Sequence, residues 1–130
     1  MKILVGYDSS NSSKAALKLA CTYAKALDAQ IAIVTSMVEG DSDDVQKIAR
    51  AEKKLDWAKS YAEEEGITSS PHLLVRGMTP GEDLVQFASE NSIDAVFIGV
   101  KRRSKVGKIL FGSNAQYIIV KAHCPVMTVK

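Results

Sequence analysis

Between Gly99 and Ser113 the chain reads GVKRRSKVGKILFGS, and its residue types suit one kind of chemistry. Gly99 and Gly112 allow close backbone approach, Lys101, Arg102, Arg103, Lys105 and Lys108 supply positive charge, and Ser113 opens an apolar stretch of helical character. Backbone amides, cationic side chains and a helix N-terminus gathered around one point make a phosphate site. An anionic ligand is therefore the leading expectation. Charge distribution points the same way: the net charge is only +2, yet no acidic residue occurs from Gly99 to Lys130. Between Glu39 and Glu65 the balance reverses through Asp41, Asp43, Asp44, Glu52, Asp56 and Glu63, and a solvated acidic helix face is expected there.

Other chemistries find less support. Cys21 and Cys124 lie far apart, without the spacing of a zinc or redox site. Cys21 falls on the apolar face of a predicted helix, as a small buried hydrophobe would. The pair His123-Cys124 invites a catalytic-dyad reading, but adjacent residues point in different directions and no orienting carboxylate is near in sequence. His72 begins a predicted strand and receives no catalytic role. SKVGK is superficially like a nucleotide-binding P-loop, but Arg102 stands where the first glycine belongs and Ile109 where a magnesium-binding hydroxyl belongs. No G-x-G-x-x-G follows the first strand, so a dinucleotide fingerprint is lacking, and clustered metal ligands are not seen.

The elements that must position these residues follow from hydrophobic periodicity. Residues 2–7, KILVGY, form a short apolar run of the kind expected for a strand buried on both faces. Leu17, Ala20, Cys21, Ala24 and Leu27 recur at helical spacing behind a serine-rich cap region, predicting a helix over 11–27. Strands are predicted at 31–38, 72–76 and 93–99, with a fifth at the C-terminal PVMTVK. After EGDSDD a long helix carries Val45, Ile48, Ala49, Leu55, Ala58 and Ala62 on one side until Gly66 stops it. Thr79-Pro80-Gly81-Glu82 combines a threonine cap, a proline at the first helical position and a capping glutamate, predicting a helix to about Glu90. Ser113-Asn114-Ala115-Gln116 has the form of a second capping box before YIIVK.

Five strands separated by four helices imply a doubly wound, mostly parallel α/β sheet with helices on both faces. The 130 residues, 46% apolar and 25% charged, suit one globular domain over 1–130. No apolar run approaches the ~20 residues that span a bilayer, and MKILVGYD is too short an apolar run for a signal peptide, so a cytoplasmic location without membrane association is expected. In such folds ligands bind at the carboxyl ends of the strands. Gly6-Tyr7-Asp8, Thr35-Ser36-Met37, Arg76-Gly77 and the segment from Gly99 are those ends. Asp8 there suits either hydrogen bonding to ribose hydroxyls or capping of the following helix.

These residues together carry a family resemblance. From ILVGYDSSNSSKAALKLA through VRGMTPGEDLVQFASENSIDAVFIGV to GKILFGSNAQYIIVKAHCPVMTVK, the chain resembles the universal stress proteins, small α/β domains related to other adenine-nucleotide-binding folds of the adenine nucleotide alpha hydrolase type. In ATP-binding members the loop reads G-x-x-G, nine residues, then G followed by Ser or Thr. Gly99, Gly112 and Ser113 match, and Arg102 replaces the second glycine. Arginine there disfavours positive φ and adds bulk, but it also brings a bidentate phosphate donor to an electropositive loop.

The resemblance implies an ATP or AMP ligand, with or without Mg2+. Gly6, Tyr7 and Asp8 would approach adenine and ribose, Ser36 and Met37 would line the adenine pocket, and Gly99, Val100, Lys101, Arg102, Arg103, Gly112, Ser113 and Asn114 would form the phosphate loop. It further implies a homodimer through antiparallel pairing of the last strand, and a nucleotide-binding regulatory role in the stress response with a protein partner yet to be named. No catalytic residue is assigned; turnover beyond weak ATP hydrolysis is not expected, since only Asp8 offers itself as a base. A slow ATP hydrolase or phosphotransferase, or a scaffold whose basic loop contacts nucleic acid, are the competing classes. The loop has no interleaved aromatics, and nucleic acid is not the expected partner.

Overall fold

Alternating burial along the first strand sorts the molecule into layers. In β1 (Lys2–Gly6), Ile3 and Val5 point to one face, with Tyr7 just beyond on the same side, and Leu4 points to the other. The computed structural model describes residues 1–38, 45–101 and 111–130. After β1 come α1 (Asn11–Leu27), β2 (Gln30–Met37), α2 (Val45–Glu64), β3 (Ser69–Val75), α3 (Pro80–Glu90), β4 (Ala95–Gly99), α4 (Ser113–Lys121) and β5 (Val126–Val129). The five strands form one sheet in the order β3-β2-β1-β4-β5, and every neighbouring pair is parallel.

Each face of the sheet has its own core. Ile3, Val5, Ile31, Ile33 and Phe97 pack against Leu17, Ala20 and Cys21 of α1 and Leu55, Ala58 and Ala62 of α2. Leu4, Val34, Val96 and Ile98 pack against Leu84, Phe87 and Ala88 of α3 and Ile118 of α4. The doubly wound α/β architecture expected from the alternating pattern is the one observed. Because β2 and β4 flank β1 on opposite sides, the strand order reverses between β1 and β4. A crevice opens at the carboxyl ends of those two strands, where chains of this topology bind ligands.

Element boundaries moved for identifiable reasons. β1 stops at Gly6, one residue short of the expected Tyr7, and β2 is shifted by one from 31–38. β3 begins at Ser69 rather than at residue 72 and runs through Pro71; an edge strand tolerates the missing amide donor. β4 begins at Ala95 rather than at residue 93, since Asp94 is engaged in closing the edge of the turn, its N–H donating to the Lys2 carbonyl at 2.8 Å and its carboxylate accepting from the Lys2 N–H at 2.8 Å.

Helix starts separate two cases. Ser10 caps α1 by accepting from the Ser13 N–H at 3.2 Å, and Thr79 caps α3 by accepting from the Glu82 N–H at 3.4 Å, with Pro80 in the first turn. The capping box expected at Ser113 does not form. Gly112 occupies the cap position with extended backbone, Ser113 is already helical, and Gln116 donates its side-chain amide to the Phe111 carbonyl at 3.3 Å. At the other end of α2, Gly66 takes a left-handed φ of 78°, the stop foreseen for it.

Of the described glycines, Gly99 is the most closely approached. A Cβ on it would collide with the Ser12 carbonyl carbon and lie 2.6 Å from both the Ser12 oxygen and the Ser13 nitrogen, all of them backbone atoms. Backbone cannot yield as a flexible side chain does, so Gly99→Ala is expected to cost at least about 2 kcal/mol. Urea denaturation of the variant against the parent chain measures it.

Candidate functional site

The first turn of α1 and the first turn of α4 converge on the β1/β4 crevice. They wall a cleft of about 730 Å³, a size typical of small-molecule sites. From the strand ends come Gly6, Tyr7 and Asp8 of the β1 end, Ser36 of β2, and Gly99, Val100 and Lys101 at the end of β4; Gly112, Ser113 and Asn114 close the cleft from α4. Ten expected site residues are thus brought together around one space. Met37 instead lines a smaller cavity on the other side of Asp8, because successive strand residues face opposite sides of the sheet. Arg102 and Arg103 lie outside the described residues.

Asp8 is held as an anion. Burial alone pushes its carboxyl up, but hydrogen bonding from Ser10 and Ser13 and the charge of Lys101 outweigh burial and bring its pKa below the ordinary carboxylate value. Its Oδ1 accepts from the Ser10 N–H at 2.9 Å, and its own N–H donates to Ser13 Oγ at 3.4 Å. The chain turns there through Ser9, whose φ of 65° places a non-glycine residue in the left-handed region. Asp8 therefore does not cap α1; Ser10 does, and Asp8 lines the crevice. Burial and the neighbouring Asp8 charge raise the Tyr7 hydroxyl, which stays protonated, while the Tyr7 carbonyl accepts from Thr35 Oγ1 at 2.6 Å.

Gly112 and Asn114 behave differently from one another. Among the described residues, a Cβ on Gly112 would meet nothing within 4 Å, and its φ of −64° is open to any residue. Neither strain nor packing demands glycine there; the space it leaves belongs to the cleft, beside the exposed amides of α4. The Asn114 side chain is already engaged, its Oδ1 accepting the Gly81 N–H at 2.9 Å and so tying α4 to α3.

Beneath the β2 wall lies an ionic cluster built on a buried aspartate, which the sequence reading did not find. Asp83, with no solvent exposure, accepts at Oδ2 from Ser36 Oγ at 2.7 Å and at Oδ1 from Arg76 Nε at 2.6 Å; Arg76 also reaches Glu90 at 3.1 Å. Ser36 is thus oriented by α3 rather than left free. Other lining residues that escaped the sequence reading include Ser12, within the predicted cap region, Ser13, and the apolar Val34, Leu84 and Phe111. The serine-rich start of α1 was the signal available for the first two.

The remaining nucleophile candidates are structural. Burial, reinforced by Glu65, pushes the Cys21 thiol up to about 11. Cys124 is raised by burial and then by Asp94, and His123 Nε2 lies 3.0 Å from the Ile93 carbonyl oxygen. Among the described residues there is no group of three potential metal ligands, and no helix is long and apolar enough to cross a membrane.

A parallel sheet with helices on both faces, and with two helix N-termini and an ionised aspartate around its switch-point crevice, defines a doubly wound α/β protein whose crevice attracts anions. The universal stress protein family model matches residues 1–130, and the chain belongs to that family. It is 30% identical over 140 residues to a universal stress protein from Methanocaldococcus jannaschii, covering 99% of this chain and 81% of the relative. The structure of a universal stress protein from Archaeoglobus fulgidus in complex with dAMP superposes with a TM-score of 0.86 at 34% identity, covering 100% of this chain and 98% of that one. A universal stress protein in complex with cAMP gives a TM-score of 0.80 at 25% identity, with 99% and 95% covered.

Two measurements probe the site's construction. A carboxyl whose folded pKa is depressed contributes stability above its unfolded pKa and loses it as pH falls through the folded value. Asp8→Asn should therefore lose less stability than the parent between about pH 5 and about pH 2 in circular-dichroism melts. Arg76→Met removes the hydrogen bonds that Arg76 donates to buried Asp83 and should cost about 2 kcal/mol in chemical denaturation at neutral pH.

Proposed function

We propose that this protein binds an adenine mononucleotide, AMP or ATP, in the β1/β4 cleft and acts through it as a regulatory switch of the stress response. The observation that carries this reading is the convergence of an open glycine-framed helix N-terminus at Gly112-Ser113 with the ionised Asp8 across one cleft, in a chain 34% identical to a protein solved with dAMP. The phosphate chain lies against the α4 amides, the Ser113 hydroxyl and Lys101, where partial and full positive charge coincide. Ribose hydroxyls donate to Asp8. The base lies by the Thr35-Ser36 strand end, between apolar Val34 and Leu84.

Mg2+ suits this site only as a companion of ATP. Asp8 is the one carboxylate among the described lining residues, so phosphate oxygens and water supply most of its coordination, and the ion's contribution is to neutralise phosphate charge. Arg102 and Arg103 extend the cationic side of the loop in this reading. The protein works as a homodimer in the cytoplasm, β5 edges pairing antiparallel; β5 ends the sheet, and such an edge calls for a partner.

Titration calorimetry with AMP and ATP tests the reading. Saturable binding is expected, weakened at least about tenfold in Gly112→Val, whose stability should fall by only about 1 kcal/mol, the cost of an apolar residue at the α4 cap. Sedimentation of the same samples should give twice the chain mass. Absence of both heat and thermal stabilisation at millimolar nucleotide refutes nucleotide binding.

A further inference from the structure

α2 turns a cationic side toward the open end of the sheet. Lys47, Arg50 and Lys54 recur at spacings of three and four residues, which stacks them along one helix face. With Ala51 they form one wall of a second cavity of about 210 Å³, and Tyr7, Asp8, Thr35 and Met37 form the other. Tyr7, Asp8 and Thr35 also line the main cleft, so the two compartments adjoin at Asp8. No residue of α4 or of the Gly99–Lys101 segment lines the smaller one. Its cations are therefore separate from the phosphate end of the main cleft.

The charge balance of this compartment favours an anion. Among the described residues, Arg50, Lys54 and Lys47 line it against one carboxylate, and that carboxylate is already engaged by the Ser10 amide and balanced by Lys101. Among the described residues, Arg50 and Lys54 form no ion pair. The acidic face expected of the 39–65 stretch is thus not what α2 presents to the site, because charge summed along a sequence does not report which helix face carries it.

We propose that this compartment is a second anion subsite, which takes a phosphate carried on the 2′ or 3′ oxygen of a bound adenine nucleotide. It rests on the preceding reading, in which the ribose lies at Asp8. A substituent on one of the two ribose hydroxyls leaves the other to donate to Asp8 and directs its phosphate past the carboxylate toward α2. Arg50 offers a planar fork and Lys54 a compact charge, a combination matched to a phosphate dianion. The protein then discriminates nucleotides by their ribose phosphorylation, a property the α4 end cannot read.

The chain has a natural reporter on this side. Trp57, its single tryptophan, is 48% exposed and stacks on Tyr7 with ring centroids 6.4 Å apart, one turn beyond Lys54. The test compares AMP, adenosine 3′,5′-bisphosphate and adenosine 2′,5′-bisphosphate by calorimetry and Trp57 fluorescence, on the parent chain and on the Arg50→Glu/Lys54→Glu double variant. At low ionic strength at least one bisphosphate should bind about tenfold or more tightly than AMP, with a change in Trp57 emission, and the advantage should shrink as salt is added. The double variant should lose that advantage, while its AMP affinity at about 0.15 M salt, where the Debye length is about 8 Å, should stay within about twofold, since both positions lie outside the main cleft. AMP binding with no gain from either bisphosphate, or a gain that survives charge reversal, overturns the subsite alone. Failure of the parent chain to bind any of the three overturns the nucleotide reading together with it.

Discussion

The contact between Gly99 and the backbone of Ser12 and Ser13 governs how the functional end of this molecule is assembled. Because position 99 has no Cβ, the first turn of α1 can rest directly on the end of β4, across the point where the strand order reverses. That approach brings the N-terminus of α1 beside the end of β1, and with it the Ser10 amide and Ser13 hydroxyl that hold Asp8. It also places Lys101 near enough to Asp8 to favour the carboxylate. The ionised aspartate at the mouth of the crevice is thus a consequence of packing as much as of residue type.

Around that contact the two faces of the sheet do different work. The α1/α2 face supplies a continuous apolar core, whereas the α3/α4 face combines an apolar core with polar ties near the strand ends. Asp83 anchors Ser36 to Arg76, and Asn114 fastens α4 to the start of α3. A fully buried carboxylate is costly to desolvate, and both of its oxygens are met by short hydrogen bonds. The wall of the cleft is thereby held in place beside Gly6 and Gly99, where neighbouring atoms leave no room for a side chain.

Electrostatically, the site is a small anion flanked by cations. Asp8 lies between the main cleft, with Lys101 and the α4 amides, and the compartment lined by Lys47, Arg50 and Lys54. Such an arrangement suits a ligand with hydroxyls at its centre and phosphate at its ends. The aromatic series Tyr7, Trp57 and Tyr61, with Lys14 over the Trp57 ring at 5.0 Å, stiffens the side on which α2 meets the strand ends.

Local sequence determined a great deal of this protein. Hydrophobic period specified the strands and helices, the Ser10 and Thr79 caps and the Gly66 stop were legible from residue type, and the alternation of elements dictated a parallel doubly wound sheet. These features depend on neighbours within a turn or a strand length, so a linear reading reaches them. Strand order, and hence the switch point that gathers Gly6, Asp8, Gly99 and Ser113, was decided by tertiary structure. So were the partnering of Ser36 with Asp83 across 47 positions, the capture of Asn114 by Gly81, the replacement of a serine cap by Gly112 and the side of α2 that faces Asp8. Each of these depends on which surfaces meet after the sheet closes, and a contact between distant residues leaves no periodic trace in the chain.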